Sequence, residues 1–325
     1  MSTNDNRFLR IMGGASTHCT LLSAAYADST WNKIYCALNI FEKFCSNTGR
    51  NSRFPIDGVS LSAFIEWATF VKGNSPATIT AYLSHLRLIH KLRNVNTSGC
   101  DSFLCKTQIR GAENLQFYKR NETFVKKVMT IPLLKILGHS LAKTNWCSHS
   151  KLVLWATYTV AFFGSFRPCE LLCKNDSSFN IHESLLWSDI KFMDDDSVQI
   201  KIKIPKNRKK GGDYVSLFPF PSHGCCPVRA LKELKMHTED VAEMSPVFKF
   251  ANGKNLTKSK LNCFISEHLT PHIGEEAKFY SAKSFRAALP SALAATPHFA
   301  NDANIKRWGR WNSNAFEKYT RLSHK

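Results

Sequence analysis

The sequence predicts a mainly α-helical chain with a small antiparallel β-sheet or hairpin in its second part, organised as two domains. Three observations predict this. Apolar residues recur at helical spacing through most of residues 23–118. Alternation with a period of two is confined to the stretch from Leu185 to Phe218, where a glycine-containing turn interrupts it. Between the two parts lies the polar, basic stretch Tyr118-Lys-Arg-Asn-Glu, followed by Lys126 and Lys127. With 325 residues the chain is long enough to bury two cores.

Residues 1–21 show no clear period and are expected to form a flexible arm. From Ser23 to Cys45 the spacing of Trp31, Ile34, Tyr35, Leu38, Phe41 and Phe44 predicts a long amphipathic helix. Asn47 to Arg53 reads as a polar turn and Asp57-Gly58 as a break before a second helix over Leu61–Val71. Asn74-Ser75-Pro76 is a start signal for a third, which carries Ile79, Tyr82, Leu83, Leu86 and Ile89 to about Arg93. A weaker fourth helix is expected from Phe103 to Tyr118. Residues 22–118 thus form a small all-helical domain, and 119–130 are expected to link it to a second domain over 131–325.

In that second part, helices are expected at Pro132–Leu141 and Ser150–Phe163, the latter apolar enough to be core. Leu185–Ile190, Val198–Pro205 and Tyr214–Phe218 are expected as strands. The last two flank a tip, Lys206-Asn-Arg-Lys-Lys-Gly-Gly-Asp, loaded with cations. Further helices are expected from Cys226-Pro-Val-Arg-Ala-Leu and over Leu256–Leu269.

Charge narrows the function. Forty-four Lys and Arg against 25 Asp and Glu give a formal +19, a field that favours a polyanion such as nucleic acid. No stretch approaches the roughly 18 apolar residues of a membrane span, and Asn4, Asp5 and Asn6 do not belong to a signal peptide, so an intracellular protein is expected. The eleven cysteines are odd in number and form no paired CxxC knuckles; they are expected to be mostly buried thiols, without a metal.

The chemistry concentrates near the end of the chain. Lys283-Ser-Phe-Arg286 places two cations three residues apart, on one face if the stretch is helical, where both can meet one anion. Gly309-Arg310-Trp311 adds a third cation, and Tyr319 follows nine residues after Arg310. On one straight helix that spacing would send Arg310 and Tyr319 to opposite sides, so a break is required. Gly309 can end one helix, and Asn314 with Glu317 reads as a capping box starting another. A tyrosine becomes a useful nucleophile only where nearby positive charge stabilises its phenolate. Earlier, Gly164-Ser-Phe-Arg167-Pro-Cys-Glu170 sets a carboxylate three residues after an arginine, where it can orient the guanidinium from behind. Pro290 is expected to kink the helix that follows Arg286.

The ordered set Arg167-x-x-Glu170, hairpin lysine, Lys283-x-x-Arg286, Gly309-Arg310-Trp311 and Tyr319 resembles the tyrosine recombinase (phage-integrase-type) family. The wording around the motifs is most similar to Crypton and DIRS-like recombinases of eukaryotic mobile elements. The resemblance implies a two-domain DNA clamp, with residues 22–118 similar to the SAM-like core-binding domain and 131–325 to the catalytic domain. It implies metal-free, cofactor-free strand cleavage and rejoining in the nucleus, integrating or excising an element. Tyr319 would attack a DNA phosphate to leave a 3′-phosphotyrosyl link, and Arg167 and Arg286 would hold the non-bridging oxygens, as preorganised donors do best. Lys206, or Lys209 or Lys210, would protonate the leaving 5′ oxygen. Lys283 and Arg310, with Trp311 beside them, would complete the site, with Glu170 behind Arg167.

Double-stranded DNA is the implied partner, bound by four protomers on two segments. Arg87, Lys91, Arg93, Lys119, Arg120, Lys126, Lys127 and Arg208 are candidate contacts. Lys283 stands where the family usually has His, and Arg310 where it has His or Trp. Both keep positive charge and donors, but neither readily accepts the tyrosine's proton. A DNA-binding protein that has lost catalysis and a type IB topoisomerase are the alternative readings.

Overall fold

The computed structural model describes residues 3–14, 20–119, 127–203, 213–220, 224–238, 242–296, 298 and 301–310. The chain is mostly helical with one small antiparallel sheet, and it divides into two compact units, Met1–Thr123 and Phe124–Lys325.

The first unit contains α1 (Thr3–Ile11), α2 (Thr20–Ala24), α3 (Asp28–Thr48), α4 (Gly58–Phe70), α5 (Pro76–Leu92) and α6 (Phe103–Lys119). The helical stripe of α3 buries Ile34, Leu38, Phe41 and Phe44, and Phe41 and Phe44 meet Phe64 of α4 in edge-on contacts at 5.6 and 5.5 Å. Each fully buried Phe of this kind contributes about 1.5–3 kcal/mol. Local chemistry starts the next two helices. The Asp57 carboxylate accepts from Ser60 N at 2.8 Å, and Ser75 Oγ accepts from Thr78 N at 3.3 Å ahead of Pro76.

The N-terminal segment departs from the expected flexible arm. Residues 3–11 form α1, whose Ile11 is fully buried against the core. Arg93, at the end of α5, donates from Nε to the Ile11 carbonyl and from Nη2 to the Arg10 carbonyl, both at 2.8 Å. Those are carbonyls at the C-terminus of α1, where partial negative charge gathers, so a guanidinium caps them even though Arg10 O also accepts Gly13 N at 3.2 Å. The partner that fixes α1 lies 82 residues away in sequence.

The second unit contains α7 (Ile131–Ala142), α8 (Ser148–Phe163), the single turn α9 (Pro168–Leu171), strands β1 (Ile190–Phe192), β2 (Val198–Ile202) and β3 (Asp213–Leu217), then α10 (Pro227–Met236), α11 (Lys258–Ile273), α12 (Ala288–Ala294) and α13 (Asp302–Gly309). The strands are in order β1-β2-β3, with Ile190 opposite Ile200 and Ile200 opposite Val215. These three residues face the core, while Lys191, Lys201 and Tyr214 alternate outward.

Three expectations are corrected here. Residues 127–130 are not linker: Lys127 N donates to Phe279 O and Met129 N to Ser284 O at 3.0 and 3.2 Å, and Met129 is buried. The strand expected over Leu185–Ile190 starts only at Ile190. Trp187–Asp189 is a 3-10 turn because the Asp189 carboxylate folds back to accept Leu186 N at 2.9 Å and an ion pair from Lys203 at 2.7 Å. Finally, Pro290 falls in the first turn of α12, where an N–H has no helical acceptor, so the helix forms without needing the donor that proline lacks.

His90 on α5 is fully buried, with Nδ1 bonded to Leu86 O at 2.8 Å and Nε2 accepting Ile56 N at 2.9 Å. This pairing assigns the neutral tautomer, and burial holds the imidazole below the usual histidine range. Above about pH 6.5 neither folded nor unfolded His90 binds a proton; below it the unfolded state binds one that the folded state refuses. The first unit should therefore lose stability as pH falls from about 6.5, by up to about 1.4 kcal/mol per pH unit. Amide exchange at Ile56 measured from pH 7.5 to 5 checks this. His90→Asn should remove one proton from the slope.

Candidate anion-binding site

The site is built where α8 ends. Gly164 caps that helix, its N–H reaching Val160 O at 2.9 Å, and the ring of Phe166 lies so close that a Cβ at Gly164 would stand 2.1 Å from Phe166 Cε2. Only glycine fits there. Arg167 is held extended (φ −74°, ψ 144°) by the proline that follows it, as residues before proline usually are. Ser165, between them, turns the chain with φ at +46°, and it is completely buried.

Two arginines from distant segments converge on this turn. Arg286 belongs to a 3-10 turn, Ala282–Ala287, which is fixed by Ala282 N bonding to Asn262 Oδ1 of α11 at 2.9 Å and by Phe285 stacking on Tyr158 of α8. Its Nη1 donates to the Ser165 carbonyl. Arg310 follows α13, whose N-terminus is capped by Asn301 and whose Ile305 is buried. Gly309 is the last helical residue and Arg310 itself takes the left-handed conformation, φ +53°. From there Arg310 Nη2 donates to Ser165 O at 3.0 Å and to Glu170 Oε2 at 2.9 Å.

Glu170 is the counter-ion of the cluster. Its side chain is 2% exposed and binds Arg167 Nη1 at 2.7 Å through Oε1, while Oε2 accepts Arg167 N at 2.7 Å as well as Arg310. Burial pushes this carboxyl upward, but the Arg310 charge and the hydrogen bonds from Arg167 outweigh that and hold it below the ordinary glutamate range. Arg167, Arg310 and Arg286 thus share one corner, secured by one carboxylate and one backbone oxygen. Such a corner presents forked donors to a tetrahedral oxyanion.

Arg167, Glu170, Arg286 and Arg310 come together among the expected site residues. Lys283 does not join them: its side chain is exposed, and it carries none of the cluster's hydrogen bonds although it shares a turn with the buried Arg286. The expected convergence of Lys283 and Arg286 is not seen among the hydrogen bonds of the described residues: the turn buries Arg286 and leaves Lys283 to solvent. Lys206, Lys209, Lys210, Arg208, Trp311 and Tyr319, with the capping box at Asn314 and Glu317, lie outside the described residues, as do Arg120, Lys126 and the Lys119 side chain.

The remaining candidate DNA contacts differ in what they already hold. Lys91 is exposed. Arg87 pairs with Asp101 at 2.9 Å, and Lys127 with Glu276 at 2.6 Å. Arg93 turns inward, capping α1 and lying over the Phe54 ring at 4.2 Å, so its charge is engaged in the fold. A separate cavity of about 560 Å³ between α7 and α8, lined by Leu141, Leu152 and Trp155, shares no residue with the arginine corner. Sequence reading missed Ser165, whose contribution is a carbonyl that every residue type carries.

This chain has the two-unit fold seen in tyrosine recombinases. It is similar to the XerH site-specific recombinase bound to difH substrate in a pre-cleavage complex, with TM-score 0.60 and 16% identity over 99% of this chain and 86% of that one. It is similar also to the Tn1549 transposon integrase in complex with transposon right end DNA (TM-score 0.57, 12% identity, 99% and 98% covered) and to a lambda integrase tetramer bound to a Holliday junction (0.56, 12%, 99% and 78%). No family model and no curated protein matches the sequence. Among the described residues no helix is long and apolar enough to cross a membrane, and no group of three or more His, Cys, Asp or Glu is placed to hold a metal ion.

Removing the counter-ion charge tests the corner. Glu170→Gln should destabilise the second unit by about 3–5 kcal/mol, because it leaves buried arginine charge uncompensated. With the folded carboxyl lowered, the wild-type advantage is fully present above about pH 4.3 and shrinks as pH falls through the folded value. Thermal melting of both proteins between pH 7 and pH 3 measures the difference.

Proposed function

We propose that the protein is a DNA strand-exchange enzyme that cleaves and rejoins DNA through Tyr319. The observation that carries this reading is the convergence of Arg167, Arg286 and Arg310 on Ser165 O and Glu170. It occurs in a fold shared with enzymes described as a site-specific recombinase and a transposon integrase. The net charge of +19 supports a duplex DNA partner.

In this reading the arginine corner binds the two non-bridging oxygens of one phosphodiester. Charge grows on those oxygens as the Tyr319 hydroxyl attacks phosphorus, and preorganised guanidinium groups lower the barrier there. The Tyr319 hydroxyl proton is released to solvent, the P–O5′ bond breaks, the phosphate becomes esterified to Tyr319 through the strand's 3′ end, and a proton from Lys206, Lys209 or Lys210 reaches the departing 5′ oxygen. Attack by a 5′-hydroxyl of a partner strand reverses the steps and releases the tyrosine. The number of phosphoester bonds is unchanged, so ATP is not needed. Glu170 positions Arg167 and Arg310 rather than touching substrate. The partners are double-stranded DNA and further copies of the chain, four on two DNA segments. The setting is a mobile element of the Crypton or DIRS kind acting in the nucleus.

A second reading, a DNA-binding protein without catalysis, is favoured by Lys283, which is exposed and apart from the cluster, and by Arg310, which cannot accept a proton.

One assay separates the readings: the protein with nicked suicide DNA from the element's own ends, in EDTA, run on a denaturing gel beside Tyr319→Phe. A covalent protein–DNA band with wild type and none with Tyr319→Phe is expected. Arg286→Ala should reduce band formation by about 10²–10³-fold, the usual loss on removing one transition-state donor. Absence of any band, with salt-sensitive DNA binding intact, establishes the non-catalytic reading. Relaxation of supercoiled DNA without recombinant product assigns a topoisomerase.

A further inference from the structure

We infer that Ser165 is a positioning residue, acting through its main-chain carbonyl, which sets Arg286 and Arg310 relative to one another. The inference rests on the reading of the arginine corner as the place where a DNA phosphate is held.

The neighbours of Ser165 leave it to make the turn. Gly164 has finished α8 in a helical conformation, φ −89° and ψ 0°, and is pressed against Phe166. Arg167 is confined to extended backbone by Pro168. The change of direction between α8 and α9 therefore falls on Ser165, which adopts φ +46° although its side chain disfavours that region. A serine kept in a conformation natural to glycine, and buried there at 0% exposure, indicates that the surroundings over-determine it.

The conformation places one oxygen where two cations meet. Arg286 Nη1 and Arg310 Nη2 donate to it from positions 121 and 145 residues away. Arg310 also bonds to Glu170, and Glu170 to Arg167, so a rotation at Ser165 would move both guanidinium groups relative to the third. The Ser165 hydroxyl is a separate matter. Its Oγ is buried and has no hydrogen-bond partner among the described residues. If the hydroxyl carries the role, removing it must cost function; if the carbonyl carries it, what matters is whether the residue tolerates positive φ.

Three substitutions distinguish these. Ser165→Gly keeps the carbonyl direction, removes the hydroxyl and is at ease at positive φ. Ser165→Thr keeps the hydroxyl but adds a β-branch that opposes positive φ. Ser165→Ala removes the hydroxyl and leaves a Cβ. We expect covalent-adduct formation to fall in the order Gly, Ala, Thr. The Thr variant should be slower than the Gly variant by about 10–100-fold, the loss that a misplacement near 1 Å produces. Because the loss is in positioning, it should appear in the single-turnover rate at saturating DNA, with the Kd for DNA within about threefold of wild type.

A readout independent of catalysis is the pair of Arg286 and Arg310 side-chain Nε–Hε resonances, assigned in the full-length protein by Arg→Lys variants. Ser165→Thr should shift or broaden both, and Ser165→Gly should leave both close to wild type. Should wild type form no adduct, the strand-exchange reading fails, and the resonances still test the tether. Should Ser165→Thr not fold, Ser165→Ala against Ser165→Gly gives the same comparison. A Gly variant as slow and as perturbed as the Ala variant, with the Thr variant close to wild type, assigns the role to the hydroxyl and overturns the inference. Unchanged rates and unchanged resonances in all three overturn it equally.

Discussion

Like charges do not gather in a protein interior unless something holds them there. Two cations about 4 Å apart repel by about 4 kcal/mol at the effective dielectric of a protein surface, and burial adds a desolvation cost for each. The second unit answers this with one carboxylate. Glu170, nearly inaccessible, receives Arg167 on one oxygen and Arg310 on the other, while the main-chain oxygen of Ser165 accepts from Arg310 and Arg286. Everything that positions the site can be traced to the need to deliver three arginines to those acceptors.

The scaffold around the corner follows from that constraint. Helix α8 is the core helix of the unit, and its last turn carries the chain into Gly164 and Ser165 without freedom to drift. The 3-10 turn bearing Arg286 is tied on several sides: Tyr158 stacks on Phe285, Asn262 accepts Ala282 N, and Met129 N donates to Ser284 O. Rigid packing of this kind lets polar side chains hold a fixed geometry. Arg286 is therefore buried while Lys283, three residues earlier, is left to solvent. The same logic governs the first unit, where Arg93 neutralises the exposed carbonyls of α1 and His90 closes the backbone around Ile56.

Local readings succeeded where a few residues decide the outcome. Ser75 with Pro76 marks a helix start through a bond made within three residues. The apolar stripe of α3 and the alternation in β2 and β3 report which face is buried. Arg167 and Glu170 were legible as a pair because three residues and one turn separate them. Failures came where a partner lies far along the chain. Helix α1 is held by Arg93 and the core; the turn at Trp187–Asp189 depends on Lys203; and the 3-10 form of Ala282–Ala287 depends on contacts with α8 and α11.

By itself, then, the sequence determined helices α3 to α8, strands β2 and β3, the strong positive charge and the order of the residues that suit a phosphodiester. These are set by composition and by interactions spanning a turn or two. Only the tertiary structure decided that Arg286 and Arg310 meet at Ser165, that Lys283 stays outside, and that Arg93 is engaged in folding. The acceptor involved is a carbonyl, present at every residue and so invisible to any motif. Its direction comes from a backbone angle that the serine would not choose alone, and that angle is imposed by Gly164, Phe166 and Pro168 packed beneath it.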